Sequence, residues 1–271
     1  MNENRRPGRP GRSREPERVP EETEGQLEGR NAIQEALKSG RAIDKVFVAA
    51  GDTDRALQRL AAQAKEAGAV VVPVDRRKLD AMSTTHSHQG IIALAAAHTY
   101  YTIDDLLEEA ASRGEAPLLV ICDELSDPHN LGAILRSAEC AGAHGVIIPK
   151  RRSVGLTATV AKASAGAVEY MKVARVTNIS AAISELKEKG VWVFGTAAEG
   201  SIPMYKADLA GPTAIVIGNE GVGMSQLVRK NCDVMVSIPM KGRISSLNAS
   251  AAASILLYEA LRQRLGETGR T

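Results

Sequence analysis

Apolar positions between residues 25 and 98 follow two alternating rhythms. Ala32 with Ala36 and Ile33 with Leu37 stand at i, i+4 spacing ahead of Gly40, which predicts a helix closed by a glycine cap. Val46 to Ala49 and Val70 to Val74 are continuous apolar runs that predict buried strands, with a helix from about Thr53 to Ala67 between them. Gln89-Gly90-Ile91-Ile92-Ala93-Leu94 predicts another strand, and the whole reads as a small α/β unit. Residues 99 to 115 form a polar, acidic connector in which Thr102 caps a short helix to about Ala111. From Pro117 the alternation resumes: strands are predicted at Leu118 to Cys122, Gly145 to Ile148, Val191 to Phe194, Ala214 to Ile217 and Val234 to Ser237. Helices are predicted at Asn130 to Ala141, Ile179 to Lys189, Gly223 to Lys230 and Ser246 to Leu265. Strands separated by helices imply an α/β fold with a mostly parallel sheet.

Composition changes this picture mainly at the N-terminus. Residues 1 to 24 have no apolar periodicity and carry Arg5, Arg6, Arg9, Arg12 and Arg14, so they are expected to be a disordered basic tail, either touching RNA phosphates or simply solvated. The expected organisation is therefore a tail at 1–24, a unit at 25–98, a linker at 99–115 and a second domain at 116–271. Apolar residues make up 44% of the chain, enough for two ordinary cores, and the formal charge of +2 means that any nucleic-acid affinity comes from local clusters. Cys122, Cys140 and Cys232 are far apart and mostly in apolar segments, suggesting neither a disulfide framework nor a zinc site. His86 and His88 have no third ligand in view, so no metal is expected. No run reaches the length of a membrane span and the arginine-rich start lacks a following apolar stretch, which points to the cytoplasm and away from membranes.

Three segments carry candidate chemistry. The first, Asn130-Leu131-Gly132-Ala133-Ile134-Leu135-Arg136, opens a helix; Gly132, Ala133, Arg136 and Cys140 share a face of mostly small residues from which Arg136 rises. The second, Ile217-Gly218-Asn219-Glu220-Gly221-Val222-Gly223, is a glycine-rich turn between a strand and a helix. Its order is G-x-x-G-x-G, unlike the dinucleotide fingerprint or the P-loop, and Glu220 would repel a phosphate but suits a cationic cofactor or a hydroxyl. The third, Ile238-Pro239-Met240-Lys241-Gly242, runs into Ser245-Ser246-Leu247-Asn248-Ala249-Ser250, where the serines cap the last helix and alanines permit close approach.

In this order the three segments resemble the SpoU family of RNA 2′-O-ribose methyltransferases, of the SPOUT superfamily, over residues 117 to 265. The resemblance implies a C-terminal SPOUT domain with a deep trefoil knot, S-adenosylmethionine as cofactor and a homodimer with its site near the subunit interface. It assigns catalysis to Arg136, Asn130, Glu220 and Asn248, and cofactor contacts to Thr196, Ile217, Gly218, Asn219, Ile238, Met240, Ser246 and Leu247. Arg136 would act as the general base or as an anchor for the neighbouring phosphate. Gly29-Arg30-Asn31-Ala32 and His88-Gln89-Gly90-Ile91 look like the substrate-binding domain of ribosomal-RNA members, similar in fold to the L30e group, with Arg30, Asn31 and Arg136 as RNA contacts. The implied partner is ribosomal RNA, with a guanosine of the 23S molecule as the target; an adenosine in ribosomal RNA, as in thiostrepton resistance, and a guanosine in transfer RNA are alternatives. A non-catalytic RNA-binding module is the competing class, and it would need no cofactor pocket.

Overall fold

The computed structural model describes residues 25–96, 98–197, 201–219, 221, 223–244 and 246–268. The expected tail, Glu220 and Ser245 lie outside them.

The first unit contains β1 (Gln26–Glu28), α1 (Arg30–Lys38), β2 (Ile43–Ala49), α2 (Arg55–Glu66), β3 (Val70–Val74), α3 (Arg76–Met82) and β4 (Ile91–Ala95). Its sheet has the order β1-β4-β2-β3, with β4 antiparallel to both neighbours and β2 parallel to β3. Asp54 starts α2 by accepting from the N–H groups of Ala56 and Leu57, and Asp75 starts α3 by accepting from Lys78 N. Ile33, Val46, Leu57, Leu60 and Ile91 fill the space between sheet and helices. The apolar run of β3 is not a buried strand: it ends the sheet, pairs only with β2, and leaves Val70 58% exposed. Continuous apolarity cannot separate an edge from a centre when long-range pairing decides the difference.

The second unit runs α4 (Ile103–Arg113), β5 (Leu118–Cys122), α5 (Pro128–Cys140), β6 (Gly145–Pro149), α6 (Ala158–Ala163), β7 (Val173–Val176), α7 (Ile179–Glu188), β8 (Trp192–Thr196), β9 (Ile202–Pro203), β10 (Thr213–Ile217), α8 (Gln226–Asn231), β11 (Val234–Ser237) and α9 (Ala249–Thr268). Its seven strands are all parallel, in the order β7-β6-β5-β10-β8-β11-β9. Alternation along β5 divides the core: Leu118, Val120 and Cys122 face α5 and α9, whereas Leu119 and Ile121 face α4 and α7. α4 is fixed at its start by a reciprocal pair, with Asp105 N donating to Thr102 and the Asp105 carboxylate accepting from Thr102 N. From β5 the chain steps outward through β6 and β7, then crosses to β8 and β10 on the other side. The crevice between the carboxyl ends of β5 and β10 is thus the point where the winding reverses, the usual ligand position in such sheets.

The units pack on each other through α6 and the short helical turn Ala167–Glu169. Leu27, Ile33 and Ala36 share one continuous apolar core with Leu131, Val160 and Val168. Arg41 pairs with Glu169 at 2.9 Å and lies 2.6 Å from His98 Nε2; Tyr170 donates to Glu35, and Lys162 donates to Thr85 and the Ser87 carbonyl.

Candidate active site

The loops after β8, β10 and β11 and the first turn of α9 enclose a pocket of about 570 Å³, an ordinary size for a small-molecule site. Thr196, Ile217, Gly218, Asn219, Ile238, Met240, Ser246 and Leu247, drawn from three separate parts of the chain, all line it. Their loops are shaped mainly by backbone. Asn219 and Gly223 exchange a pair of N–H to carbonyl bonds, Gly223 having φ of 70°, while the Asn219 side chain donates to the Glu124 carbonyl at 3.1 Å and accepts from Gly221 N at 2.8 Å. Thr196 Oγ1 donates to the Val216 carbonyl at 3.0 Å. At Ile238, Met240 and Leu247 the backbone makes no hydrogen bond to the backbone of another described residue, and all three line the pocket.

The glycine at 218 has a different reason from the one expected of a ligand-contacting glycine. A Cβ there would lie 2.4 Å from Met224 N and 2.5 Å from Gly223 C, so the position is small because the turn folds back on it. α8 consequently begins at Gln226, three residues later than the helical pattern predicts, and Ser225 N is held at 2.8 Å by the buried carboxylate of Asp123 from the loop after β5.

The third segment also starts its helix later than predicted. Asn248, not Ser246, is the cap: its Oδ1 accepts from Ser250 N and Ala251 N at 3.0 and 3.3 Å, and α9 opens at Ala249. The same side chain reaches α5, with Nδ2 donating to Asn130 Oδ1 at 2.8 Å. Two expected catalytic residues thus touch, and Ser137 and Ser254 join the same two helices at 2.7 Å. Arg136 is exposed on α5 and has no ion pair among the described residues. The expected small face around it is only partly open. Gly132 is buried, and a Cβ there would meet Ala163 Cβ at 2.4 Å, so this glycine lets α5 and α6 pack closely. Glu220 lies outside the described residues.

In the first unit, Arg30 is engaged with Asp54 at 2.6 Å, its N–H donates to Gln89 Oε1, and Asn31 is exposed. His88 is buried, accepting from Gly90 N and bonding to Asp80, so it is a structural clasp. Glu28 has six donors: Gln26 Nε2, Ser83 Oγ, and both the N–H and hydroxyl of Thr84 and of Thr85. Burial opposes its ionisation, but the bonds from Ser83, Thr85, Thr84 and Gln26 prevail and bring its pKa to about 2. The three cysteines are free, burial pushing Cys122 up to about 12 and Cys232 to about 11.

Sequence reasoning did not find Asp123 or Arg229, which lines the pocket. Asp123 had a signal, a carboxylate directly after a predicted strand; Arg229 sits in an ordinary helix and had none. No cluster of metal ligands occurs among the described residues, and no described helix is long and apolar enough to cross a membrane.

Residues 117–258 match the model of the SpoU rRNA methylase family, and residues 26–101 match that of the RNA 2′-O ribose methyltransferase substrate-binding region. A putative TrmH family tRNA/rRNA methyltransferase, YacO, from Bacillus subtilis is 48% identical over 87% of this chain and 94% of its own. The 23S rRNA (guanosine-2′-O-)-methyltransferase RlmB of Ralstonia nicotianae is 44% identical over 88% and 95%. Among solved structures, the SpoU methyltransferase AviRb from Streptomyces viridochromogenes, crystallised with AdoMet, superposes with a TM-score of 0.79 at 26% identity, covering 89% of this chain and 91% of that one. With both halves matched and relatives more than 40% identical over most of both chains, the chain belongs to the SpoU family of RNA 2′-O-ribose methyltransferases.

Proposed function

We propose that the protein transfers a methyl group from S-adenosylmethionine to the ribose 2′-hydroxyl of a guanosine in 23S ribosomal RNA. One observation carries this reading: eight positions from three segments converge on a pocket over the carboxyl ends of β8, β10 and β11, beside the Asn130–Asn248 contact. The family's cofactor suits that pocket. Ile217, Val236 and Leu256 supply apolar wall, and the backbones at Ile238, Met240 and Leu247 supply polar groups. Bound there, S-adenosylmethionine supplies an electrophilic methyl group on a sulfonium centre.

The chain's own residues have to bring a weakly acidic hydroxyl into line and manage its proton. Arg136 is the exposed cation nearest in sequence to Asn130, and guanidinium stays protonated in proteins. Its role in this reading is to hold the phosphate next to the target ribose and to stabilise the developing alkoxide. The Asn130–Asn248 bond ties α5 to α9, so the helix bearing Arg136 and the helix closing the pocket keep a fixed spacing. Glu220 is assigned to the hydroxyl or to the cofactor's positive charge.

Residues 25–98 serve in this reading as the RNA-reading unit, with Arg30 and Asn31 as contacts, 99–115 as its connection and 116–271 as the transferase. A trefoil knot fits the return of α9 onto α5 and β10 after β11 has entered the sheet between β8 and β9. A homodimer fits the exposure of Met240, Ile244 and Leu247 at the mouth, which a second copy would cover, and the cytoplasm is where the substrate resides. The test is mass spectrometry of ribosomal and transfer RNA from cells with and without the gene. Loss of one 2′-O-methylguanosine from 23S RNA supports the reading; loss at an adenosine, loss only from transfer RNA, or no loss overturns it.

A further inference from the structure

At the carboxyl ends of the neighbouring strands β5 and β6, two residues other than glycine occupy the left-handed region, Glu124 with φ of 55° and Arg152 with φ of 59°. Such a conformation costs roughly 1 kcal/mol or more and persists only where surroundings impose it, most often near a functional surface. These two hold each other: Arg152 Nη1 donates to Glu124 Oε1 at 3.2 Å. Ser153 Oγ and Val154 N both donate to the Leu125 carbonyl, at 2.9 and 3.1 Å. On the opposite flank Lys150 N donates to the Val176 carbonyl, Arg175 donates to the Lys150 carbonyl, and the Arg175 guanidinium lies 5.0 Å from the Tyr100 ring centre. The Tyr100 hydroxyl accepts from Leu156 N at 3.0 Å.

The segment from Lys150 to Leu156 is therefore braced between the linker residue Tyr100 and the loop after β5. It is one bond from the pocket as well, because the Glu124 carbonyl accepts from the pocket residue Asn219. What this brace presents is charge. Lys150, Arg151 and Arg152 are consecutive and exposed, and Glu124 is their only ion-pair partner among the described residues. In a chain of net charge +2, three consecutive exposed cations on a braced loop, one hydrogen bond from the pocket residue Asn219, are a local field suited to a polyanion.

We propose that the Lys150-Arg151-Arg152 loop is a phosphate saddle that holds the RNA strand as it enters the active site, a role that rests on the reading given under Proposed function. The ligand is the phosphodiester backbone itself. Recognition is by charge and position, since the Tyr100 face beside the loop is covered by Arg175.

The test uses the full chain carrying Lys150→Gln together with Arg151→Gln, leaving the Arg152–Glu124 pair intact, and a 23S RNA fragment as probe. RNA affinity should fall, and the slope of log affinity against log salt should become shallower by about 1.4, two released counterions at about 0.7 each. The KM for RNA should rise by about tenfold while kcat, S-adenosylmethionine affinity and melting temperature stay within error. Lys150→Arg with Arg151→Lys should restore all of these values. An unchanged salt slope and KM overturn the saddle, as does a loss of binding that persists in the charge-conserving variant. Unchanged RNA binding with lost association to an acidic protein would reassign the loop to protein contact and also overturn it. If the wild type binds RNA but neither S-adenosylmethionine nor methylates, the reading of the pocket fails, and the salt slope still decides the loop.

Discussion

The two units hold their loops by opposite means. In the N-terminal unit a buried carboxylate, Glu28, gathers six donors and fixes residues 83 to 85, while the buried His88 pins Gly90 and Asp80. In the C-terminal unit the loops around the pocket are shaped by close backbone packing at Gly218 and by turns such as Asn219 to Gly223, each side chain there, as at Asn219, Thr196 and Asp123, bonding to backbone groups and none gathering donors as Glu28 does. The contrast follows from what each must present. A network saturated with internal hydrogen bonds makes a stiff surface for docking, as buried polar groups tolerate no loose ends. A site for a small ligand needs the reverse, with backbone groups unspent until the ligand arrives.

That comparison can be broken most severely at Gly218. Gly218→Val should abolish S-adenosylmethionine binding in calorimetry and activity with it, because its Cβ alone already lies 2.4 Å from Met224 N. Retained affinity would show that the turn is plastic and the backbone-wall argument wrong. Wild-type protein should bind NAD and ATP far more weakly than S-adenosylmethionine.

Arg136→Ala is the next largest effect and acts on the RNA side of the reaction, leaving the cofactor pocket intact. Turnover should drop by at least about a hundredfold with cofactor affinity nearly unchanged, as expected of a contribution made in the transition state. Arg136→Lys should fail too, since ammonium lacks the guanidinium fork. Normal turnover in either variant removes Arg136 from the mechanism.

Glu28→Gln probes the opposite strategy in the other unit. Six donors would lose their charged acceptor, and denaturant titration should show about 3 kcal/mol less stability at neutral pH, the size of the shift from 4.5 to about 2. Because the folded value is the lower one, this stability is complete above about pH 4.5 and fades as pH falls toward 2. A flat pH response below 4.5 relative to the variant would contradict the network's weight.

The smallest expected effect lies where the units meet. Burial, and then the Arg41 charge, bring His98 down from 6.5 to about 4, so the neutral ring that accepts from Arg41 belongs to the folded state. Its contribution should be complete above about pH 6.5 and fade as pH falls toward 4, with about 2 kcal/mol of it lost by pH 5. Melting curves at pH 7 and pH 5 should converge for His98→Phe and diverge for the wild type; equal divergence would place the acid sensitivity elsewhere.

Several strands were legible in the chain because apolar runs and alternation are local properties: Leu118 to Cys122, Val70 to Val74 and Val234 to Ser237 have the observed bounds. Helix caps were partly legible, as at Thr102, whose partner Asp105 stands three residues on. The small elements β1, α3, α6, β7 and β9 were not, since runs this short have too few positions to show a period. The amino-acid pattern alone determined an alternating α/β chain and singled out three segments, two of which line the pocket. Only the tertiary structure decided that β3 is an edge, that Gly132 and Gly218 are small because helix and backbone press on them, and that Asn248 reaches Asn130 while capping its own helix. It also decided that Glu28, an unremarked acid beside a glycine, is the most hydrogen-bonded carboxylate in the first unit. Each of these depends on residues many positions apart meeting in space, and a one-dimensional pattern records spacing along the chain without recording which distant segments will be pressed together.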